Sequence, residues 1–122
     1  MRILGIDYGT KRIGIAISDE AAEFAMPTSV VKNTEGALEE ICALAKLNQV
    51  AEMVMGESRD YKHKANSILE KSLEFKKKLE EAGFTVHLEQ EFMTSMQAER
   101  FQGKTDMTDA SAAALILQSF LD

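Results

Sequence analysis

The sequence predicts an α/β domain in which a mixed five-stranded sheet carries helices on both faces. Two short, β-branched apolar runs at residues 3–6 and 13–17 flank a polar corner, which is typical of two buried strands joined by a hairpin. The corner contains Gly9, which is free to take a positive φ. A third strand follows, and two later strands alternate with helical segments, which adds parallel strands to an antiparallel start. No repeat or linker interrupts the 122 residues, so we expect a single domain over residues 1–122.

An edge strand and a helix are predicted directly after the hairpin. Residues 25–32 have the pattern of the third strand, and Pro27 near its start favours an edge position. Thr34 is placed to cap a helix that runs to about Asn48. One face of this helix is apolar at Leu38, Ile41, Leu44 and Ala45. The single cysteine, Cys42, excludes an internal disulfide and is expected to be a buried, inert thiol in a reducing compartment.

The second half of the chain alternates between strands and helices. The predicted elements are strands at residues 51–56 and 84–89 and helices at about 64–82, 94–101 and 108–121. Gly83 lies where a C-terminal glycine cap belongs. The apolar face of the long helix consists of Ile68, Leu69, Leu73 and Leu79. Small residues at the start of the last helix should let it pack close to the sheet.

Composition and charge exclude several classes of protein. The net charge of -6 argues against a generic nucleic-acid coat, since such binding needs clustered Lys and Arg. It remains compatible with an acidic metal centre that has a local basic rim. Asp7, Lys11 and Arg12 interrupt the first apolar run, which is unlike a signal peptide, and no stretch approaches a membrane span. We therefore expect a cytoplasmic protein without membrane contact.

Three common catalytic or ligand-binding patterns fail. Residues 9–14 have the glycine spacing of a phosphate-binding loop, but Ile15 and Ala16 stand where Lys and Ser/Thr are required. His63 and His87 have no histidine or cysteine at ligand spacing, which disfavours zinc. Two scattered histidines also provide no basis for a Ser/His/Asp triad.

The carboxylates are more informative. Asp7 closes the first strand, Glu91 lies with Glu89 at the end of the last strand, and Asp106 and Asp109 open the last helix. If the first and last strands lie close together, these groups can converge. Oxygen ligands without histidine suit Mg²⁺ or Mn²⁺, and two such ions can activate water and stabilise a phosphodiester leaving group.

Each of these acidic residues also has a structural interpretation. Asp7 can bond its own turn backbone, and we weigh this equally with a ligand role on the stretch alone. Glu91 can be a solvated strand end, while Asp106 and Asp109 can be an N-cap and a first-turn acid of the last helix.

Two segments resemble a known family. Ile6-Asp7-Tyr8-Gly9-Thr10-Lys11-Arg12-Ile13-Gly14-Ile15-Ala16-Ile17-Ser18-Asp19 is similar to the opening of the bacterial YqgF/RuvX family of resolvase-like proteins, and residues 109–121 resemble its closing helix. Between these two segments, Gly56 after a strand and residues 93–95 before a short helix occur in the same order as in the family. The resemblance therefore covers essentially the whole chain. It implies an RNase H-like fold and a metal-dependent nuclease that matures the 5′ end of 16S rRNA, with Holliday-junction resolution as an older proposal.

The resemblance implies a set of metal ligands. By it, Asp7, Glu91 and Asp109 would be the catalytic acids. Asp7 would bridge two Mg²⁺ or Mn²⁺ ions, and Glu91 and Asp109 would each complete the coordination of one ion. Asp106 would be a supporting or substitute ligand.

The implied substrate is nucleic acid, either precursor rRNA or branched DNA, and a ribosomal subunit precursor is a further candidate partner. Arg12 and Lys104 would contact phosphates, and Arg59 is a third candidate. Each of the three could equally be a surface charge, and that interpretation is favoured for Arg59. We expect a monomer or a weak homodimer.

Departures from the family pattern favour a rival hypothesis. Gln90-Glu91-Phe92 stands where the family usually has Asp-Glu-Arg, and Gly56-Glu57-Ser58 replaces a Gly-x-Pro loop. The rival is a family member that binds rRNA or an assembly partner without cutting. A phosphotransferase of the actin/sugar-kinase type is a poorer alternative, since it needs a second Asp-x-Gly motif and residues 7–9 are the only match.

Overall fold

The computed structural model describes residues 1–57, 65–90 and 108–122. Its elements are β1 (Ile3–Tyr8), β2 (Arg12–Ser18), β3 (Ala25–Lys32), α1 (Ala37–Leu47), β4 (Glu52–Glu57), α2 (Ala65–Glu81), β5 (Thr85–Gln90) and α3 (Thr108–Leu121). The short helix predicted at residues 94–101 lies outside the described residues. Every other predicted element is present, with ends that shift by a few residues.

The five strands form one mixed sheet in the order β3-β2-β1-β4-β5. β1 pairs antiparallel with β2, and β2 with β3, whereas β1 pairs parallel with β4, and β4 with β5. β3 is an edge strand, as Pro27 predicted, and its register with β2 shifts between Ile15 and Ala16. β1 is therefore the central strand, at which the antiparallel half of the sheet meets the parallel half.

Helices cover both faces of the sheet, which confirms the predicted architecture. Alternation along β1 sends Leu4 and Ile6 into the larger core beneath α1 and α2, while Ile3 packs into the core beneath α3. The α3-side core consists of Ile3, Ala16, Val54, Ala113, Ala114, Ile116 and Leu117. Every residue of β1 can therefore be assigned to one of two faces.

The start of α1 differs from its prediction. The helix begins at Ala37 with Gly36 as N-cap and no side-chain capping bond. Thr34 contributes its carbonyl, which accepts a hydrogen bond from the Ala37 N–H at 3.0 Å. The predicted Thr34 cap is wrong, because residues 34–36 form a turn before the helix begins.

The buried stripe of α2 also differs from its prediction. Ser72, Phe75 and Leu79 are buried, whereas Leu73 is 41% exposed. A helix on a sheet buries a limited stripe of its circumference, and Leu73 lies outside it, about 100° around the helix from Ser72 and about 160° from Phe75 at 3.6 residues per turn. Of the predicted apolar face, Leu79 is therefore buried, whereas Leu73 is not.

The end of α2 agrees with its prediction. Gly83 has a φ of +107°, its N–H donates to the Glu80 carbonyl at 3.0 Å, and the Phe84 N–H donates to the Leu79 carbonyl at 3.2 Å. These bonds are those of a Schellman cap. Elsewhere, the half-buried Cys42 has its pKa raised by burial, which keeps the thiol protonated and agrees with an inert role. None of the described helices combines the length and apolar character needed to cross a membrane.

Candidate functional site

Asp7 lies at the C-terminal end of the central strand. It is half-buried and pairs with Gly14 of β2. Since side chains alternate along a strand, Asp7 shares the face of Ile3 and Gly5, beneath α3. This position, at the carboxyl end of a central strand beside a helix, is where open α/β sheets bind ligands.

The turn that follows Asp7 is tight. Residues 9–11 connect β1 to β2, and a Cβ on Gly9 would lie 2.5 Å from the Arg12 carbonyl oxygen. Gly9 does not have the positive φ that the sequence allowed for; among the described glycines that conformation belongs to Gly83. Glycine is needed here because the backbone passes so close to itself.

α3 lies unusually close to β1. A Cβ on Gly5 would lie 2.7 Å from the Leu117 Cβ and 2.9 Å from the Ala113 carbonyl oxygen. Near the end of the helix, Gln118 accepts a hydrogen bond from the Ala25 N–H at 2.9 Å. Ala25 starts β3 at the edge of the sheet where β1 also starts, so the N-terminus of α3 is directed toward the other edge, where β1 ends.

The backbone brings Asp109 to the level of Asp7. Asp7 comes two residues after Gly5, a rise of about 6.6 Å along a strand. Asp109 comes four residues before Ala113, a rise of about 6 Å along a helix. Starting from the contact between Gly5 and Ala113, both residues are displaced by nearly the same distance toward the same edge of the sheet.

The other two predicted acids, Glu91 and Asp106, lie outside the described residues. Within residues 1–57, 65–90 and 108–122, no group of three or more His, Cys, Asp or Glu side chains is arranged to hold a metal ion. Asp7 is thus the member of the predicted ligand set whose side chain is described, and its carboxylate belongs to the oxygen class that Mg²⁺ and Mn²⁺ prefer.

Basic residues occupy the same edge and face as Asp7. Arg12, a predicted phosphate contact, is the exposed first residue of β2 and pairs in register with Lys32, the exposed last residue of β3. The alternation that places Ile13 in the opposite core puts Arg12 and Lys32 on the α3 side. Lys104 and Arg59, the other predicted contacts, lie outside the described residues.

Sequence reasoning missed Lys32. Its sequence position, 20 residues after Arg12, carries no local signal, because only the register between β2 and β3 brings the two residues side by side. Paired cations directly opposite each other on two strands create a local positive field. The site therefore combines a carboxylate with adjacent positive charge, which is suited to holding a phosphodiester next to an oxygen-bound cation.

A cleft of about 360 Å³ lies on the opposite face of this edge. It is lined by Tyr8, Phe75 and other residues of α1, α2 and the preceding turn, and the Tyr8 and Phe75 rings lie 5.3 Å apart. Its charged side chains are Glu35, Glu39, Glu74, Lys71 and Lys78. Because both signs are mixed, this cleft lacks the uniform field of a phosphate site.

Comparison with known proteins gives matches over the full length. The sequence model of the RuvX family, described as Holliday junction resolvase, matches residues 1–122. A protein of Opitutus terrae named "Putative pre-16S rRNA nuclease" is 35% identical over 133 residues, which covers 100% of this chain and 92% of that protein.

Solved structures match the fold at low sequence identity. Thermus thermophilus RuvC, solved in complex with a Holliday junction substrate, has a TM-score of 0.66 at 16% identity and is matched over 99% of this chain and 94% of that chain. The fowlpox virus resolvase, also solved with Holliday junction DNA, has a TM-score of 0.59 at 15% identity over 99% and 97% of the two chains. The fold is therefore the RNase H-like fold of these resolvases, as predicted.

Proposed function

Because the chain belongs to the RuvX family, we propose that it is a divalent-metal-dependent nuclease that processes the 5′ end of precursor 16S rRNA. One observation carries the proposal. Asp7 lies at the carboxyl end of the central strand, on the face covered by α3, at the level of Asp109 in the first turn of α3. The relatives' name supports RNA as the substrate class, and the basic pair of Arg12 and Lys32 supports a polyanion.

The proposed ligands are acids from three parts of the chain. Asp7 and Asp109 would hold the metal together with Glu91, and Asp106 would support or replace one of them. Bound there, Mg²⁺ or Mn²⁺ would supply an activated water and stabilise the charge that develops on the leaving oxygen. Asp109 is in the first turn of α3, where the helix dipole favours the ionised carboxylate that such a ligand needs.

The cationic residues would position the substrate. Arg12 and Lys32, side by side at the edge of the sheet, would hold the phosphates that flank the scissile bond, and Lys104 would add a further contact. Holding the reacting phosphate in place lowers the barrier to cleavage, because the substrate loses its translational and rotational freedom when it binds and not in the chemical step. Such contacts carry no base information, so they fit recognition by shape and backbone.

A second function is favoured by a specific feature of this sequence. Gln90 and Phe92 flank Glu91 where the family usually carries an acid and a cation. Phe92 can neither hold a phosphate nor pair with a carboxylate. The second candidate is therefore a protein that binds precursor rRNA through the same face without cutting it.

A cleavage assay separates the two candidates. The purified protein is incubated with a 16S precursor fragment that retains its 5′ extension and, in parallel, with a four-way DNA junction, in Mn²⁺, Mg²⁺ or EDTA. The nuclease proposal expects metal-dependent cleavage of the RNA in preference to the junction. RNA binding without cleavage in either metal would support the second candidate, and preferential junction cleavage would support a resolvase.

Asp7→Asn tests the site, with Asp19→Asn, at the opposite end of the sheet, as the control for cleavage and for the gain from Mn²⁺. We expect Asp7→Asn to lower cleavage by more than about 100-fold, since even outer partners of metal ligands cost 10–100-fold. Without metal the variant should be as stable as wild type or more so, because clustered carboxylates repel. The increase in melting temperature that millimolar Mn²⁺ produces by binding the folded state should disappear. Equal Mn²⁺ stabilisation and equal cleavage in Asp7→Asn and wild type would refute Asp7 as a ligand.

Asp109→Asn distinguishes a ligand from a helix cap. Asn caps a helix about as well as Asp, so a capping role predicts a loss of only roughly 0.3–1 kcal/mol from the dipole interaction. A ligand role predicts unchanged or increased stability without metal and a smaller gain from Mn²⁺. If the variant and wild type gain equally from Mn²⁺ and cleave equally, Asp109 is a cap.

A further inference from the structure

The turn between β1 and β2 lies beyond the last pair of its own hairpin. The final pair of the β1–β2 ladder is Tyr8 with Ile13, so residues 9–11 receive no support from that ladder. The turn nevertheless connects Asp7, just before it, with Arg12, just after it. Strand pairing holds Asp7 against Gly14 and Arg12 against Lys32, and the conformation of the turn between them helps to set how the carboxylate and the guanidinium lie relative to each other.

Asn33 supplies the missing support from the next strand. It follows the last residue of β3 and is half-buried. Its main-chain N–H donates to the Lys11 carbonyl at 2.9 Å, and its side-chain Nδ2 donates to the Gly9 carbonyl at 2.8 Å. One residue thus binds two carbonyls of the same turn, at the beginning and at the end of it.

The side-chain bond requires the amide of asparagine. Nδ2 is a donor aimed at a carbonyl oxygen; aspartate would present only acceptors there, and alanine would present no polar group. A Cβ on Gly9 would lie 2.5 Å from the Arg12 carbonyl oxygen, so the turn that this bond holds is one that a side chain at residue 9 would disturb.

We propose that Asn33 is a positioning residue that clamps the β1–β2 turn and so holds Asp7 and Arg12 in the relative placement that cleavage needs. The proposal rests on the proposed nuclease function. Asn33 acts through the turn and is not assigned any contact with substrate or metal. Misplacing reacting groups by about 1 Å can cost on the order of 100-fold in rate, so loosening this turn should be visible in turnover.

The chain offers a matched control. Asn48, the C-cap of α1, also donates both its main-chain N–H and its Nδ2 to a backbone carbonyl, that of Leu44, at 3.1 Å and 2.9 Å, and it is also half-buried. It lies beside Met1 and Arg2, at the edge where β1 begins. Asn33→Ala and Asn48→Ala therefore remove the same kind of bond at opposite ends of the sheet.

The experiment measures three quantities for wild type, Asn33→Ala, Asn33→Asp and Asn48→Ala. These are the melting temperature, the kcat and KM for cleavage of the 5′-extended 16S fragment, and the amide hydrogen exchange of residues 8–12. We expect similar melting temperatures for the two alanine variants. Only the Asn33 variants should lose exchange protection in residues 8–12 and show a kcat lower by roughly tenfold or more, with Asn33→Asp at least as impaired as Asn33→Ala.

Each outcome decides the proposal. Equal kcat in Asn33→Ala, Asn48→Ala and wild type would overturn it, as would unchanged exchange of residues 8–12 in both Asn33 variants. A higher KM at unchanged kcat would also overturn it in favour of a substrate contact. Wild-type protein that cleaves no RNA refutes the proposed function and the catalytic role of Asn33 with it, while the exchange measurement still reports separately whether the clamp exists.

Discussion

Replacing Gly5 with alanine tests how closely α3 must approach the sheet. The added Cβ would lie 2.7 Å from the Leu117 Cβ and 2.9 Å from the Ala113 carbonyl oxygen. Neither of these atoms can move by a side-chain rotation, because one is a Cβ and the other belongs to the backbone. The helix itself must therefore move away from β1.

The size of this movement follows from the contact distances. Ordinary van der Waals contact begins at 3.4 Å, so the Leu117 Cβ must retreat by about 0.7 Å from 2.7 Å. Overpacking of this kind typically costs about 1–3 kcal/mol, and each kcal/mol lowers the melting temperature of a chain of this size by roughly 3–5 °C. The same movement should separate Asp109 from Asp7, and we expect cleavage to fall by roughly 10–100-fold.

Two other glycines provide graded comparisons. A Cβ on Gly56 would meet mainly the side chain of Ile116, with its Cδ1 at 2.5 Å, and a Cβ on Gly36 would meet nothing within 4 Å. Because the end of an isoleucine side chain can rotate away, Gly56→Ala should cost less than Gly5→Ala. Gly36→Ala should stay within about 0.5 kcal/mol of wild type.

Urea denaturation and thermal melting of the three variants measure these costs, and the RNA cleavage assay measures the effect on the site. A Gly5→Ala protein within about 0.5 kcal/mol of wild type with unchanged cleavage would refute the close packing of α3 and the dependence of the site on it. A large loss of stability with unchanged cleavage would refute only the second of these.

Two further predictions concern charges at opposite ends of the sheet. Lys32→Met should weaken RNA binding and lower the magnitude of the slope of log K against log salt concentration by about 0.7–0.9. The control Lys77→Met, on the helix that covers the other face, should change neither quantity. If filter-binding titrations gave equal effects for the two variants, they would contradict a phosphate contact at Lys32. The pKa of Asp19 is lowered by hydrogen bonds from the Phe24 and Glu23 amides. The ionised carboxylate therefore stabilises the folded protein fully above its ordinary pKa of 3.8, and this stabilisation is lost as pH falls through the lower pKa of the folded state. Denaturation of wild type and Asp19→Asn should therefore differ at neutral pH and converge in acid, and a difference that persists far below pH 3.8 would contradict this linkage.

Much of the fold was predictable from local patterns. The first two strands were recognised from short β-branched runs bounded by turn residues, the edge position of β3 from Pro27, and the end of α2 from Gly83; all three agree with the structure. These signals depend on the backbone preferences of a few neighbouring residues, which act in the same way whatever the rest of the chain does.

Two local predictions failed, one at the start of α1 and one on the buried face of α2. Thr34 has the chemistry of a cap, but the chain makes a turn first and the helix begins at Ala37. Leu73 has the hydrophobicity of a core residue, but the sheet covers the stripe that contains Ser72 and Phe75. Which stripe of an amphipathic helix is buried depends on how the helix is rotated against its neighbours, and the helix sequence alone specifies that only within its apolar arc.

The sequence by itself determined the candidate chemistry and the order of the elements: an aspartate at the end of the first strand, an aspartate at the start of the last helix, and a chain similar to one family throughout. Only the tertiary structure decided that α3 lies against Gly5 closely enough to bring Asp7 and Asp109 to one level, that Lys32 lies beside Arg12, and that Asn33 binds the turn between them. Residue types and strand signals are local properties of the chain. Register, helix approach and hydrogen bonds between residues 24 positions apart exist only after strands and helices have packed, because the free energy that selects them comes from burial shared by distant segments.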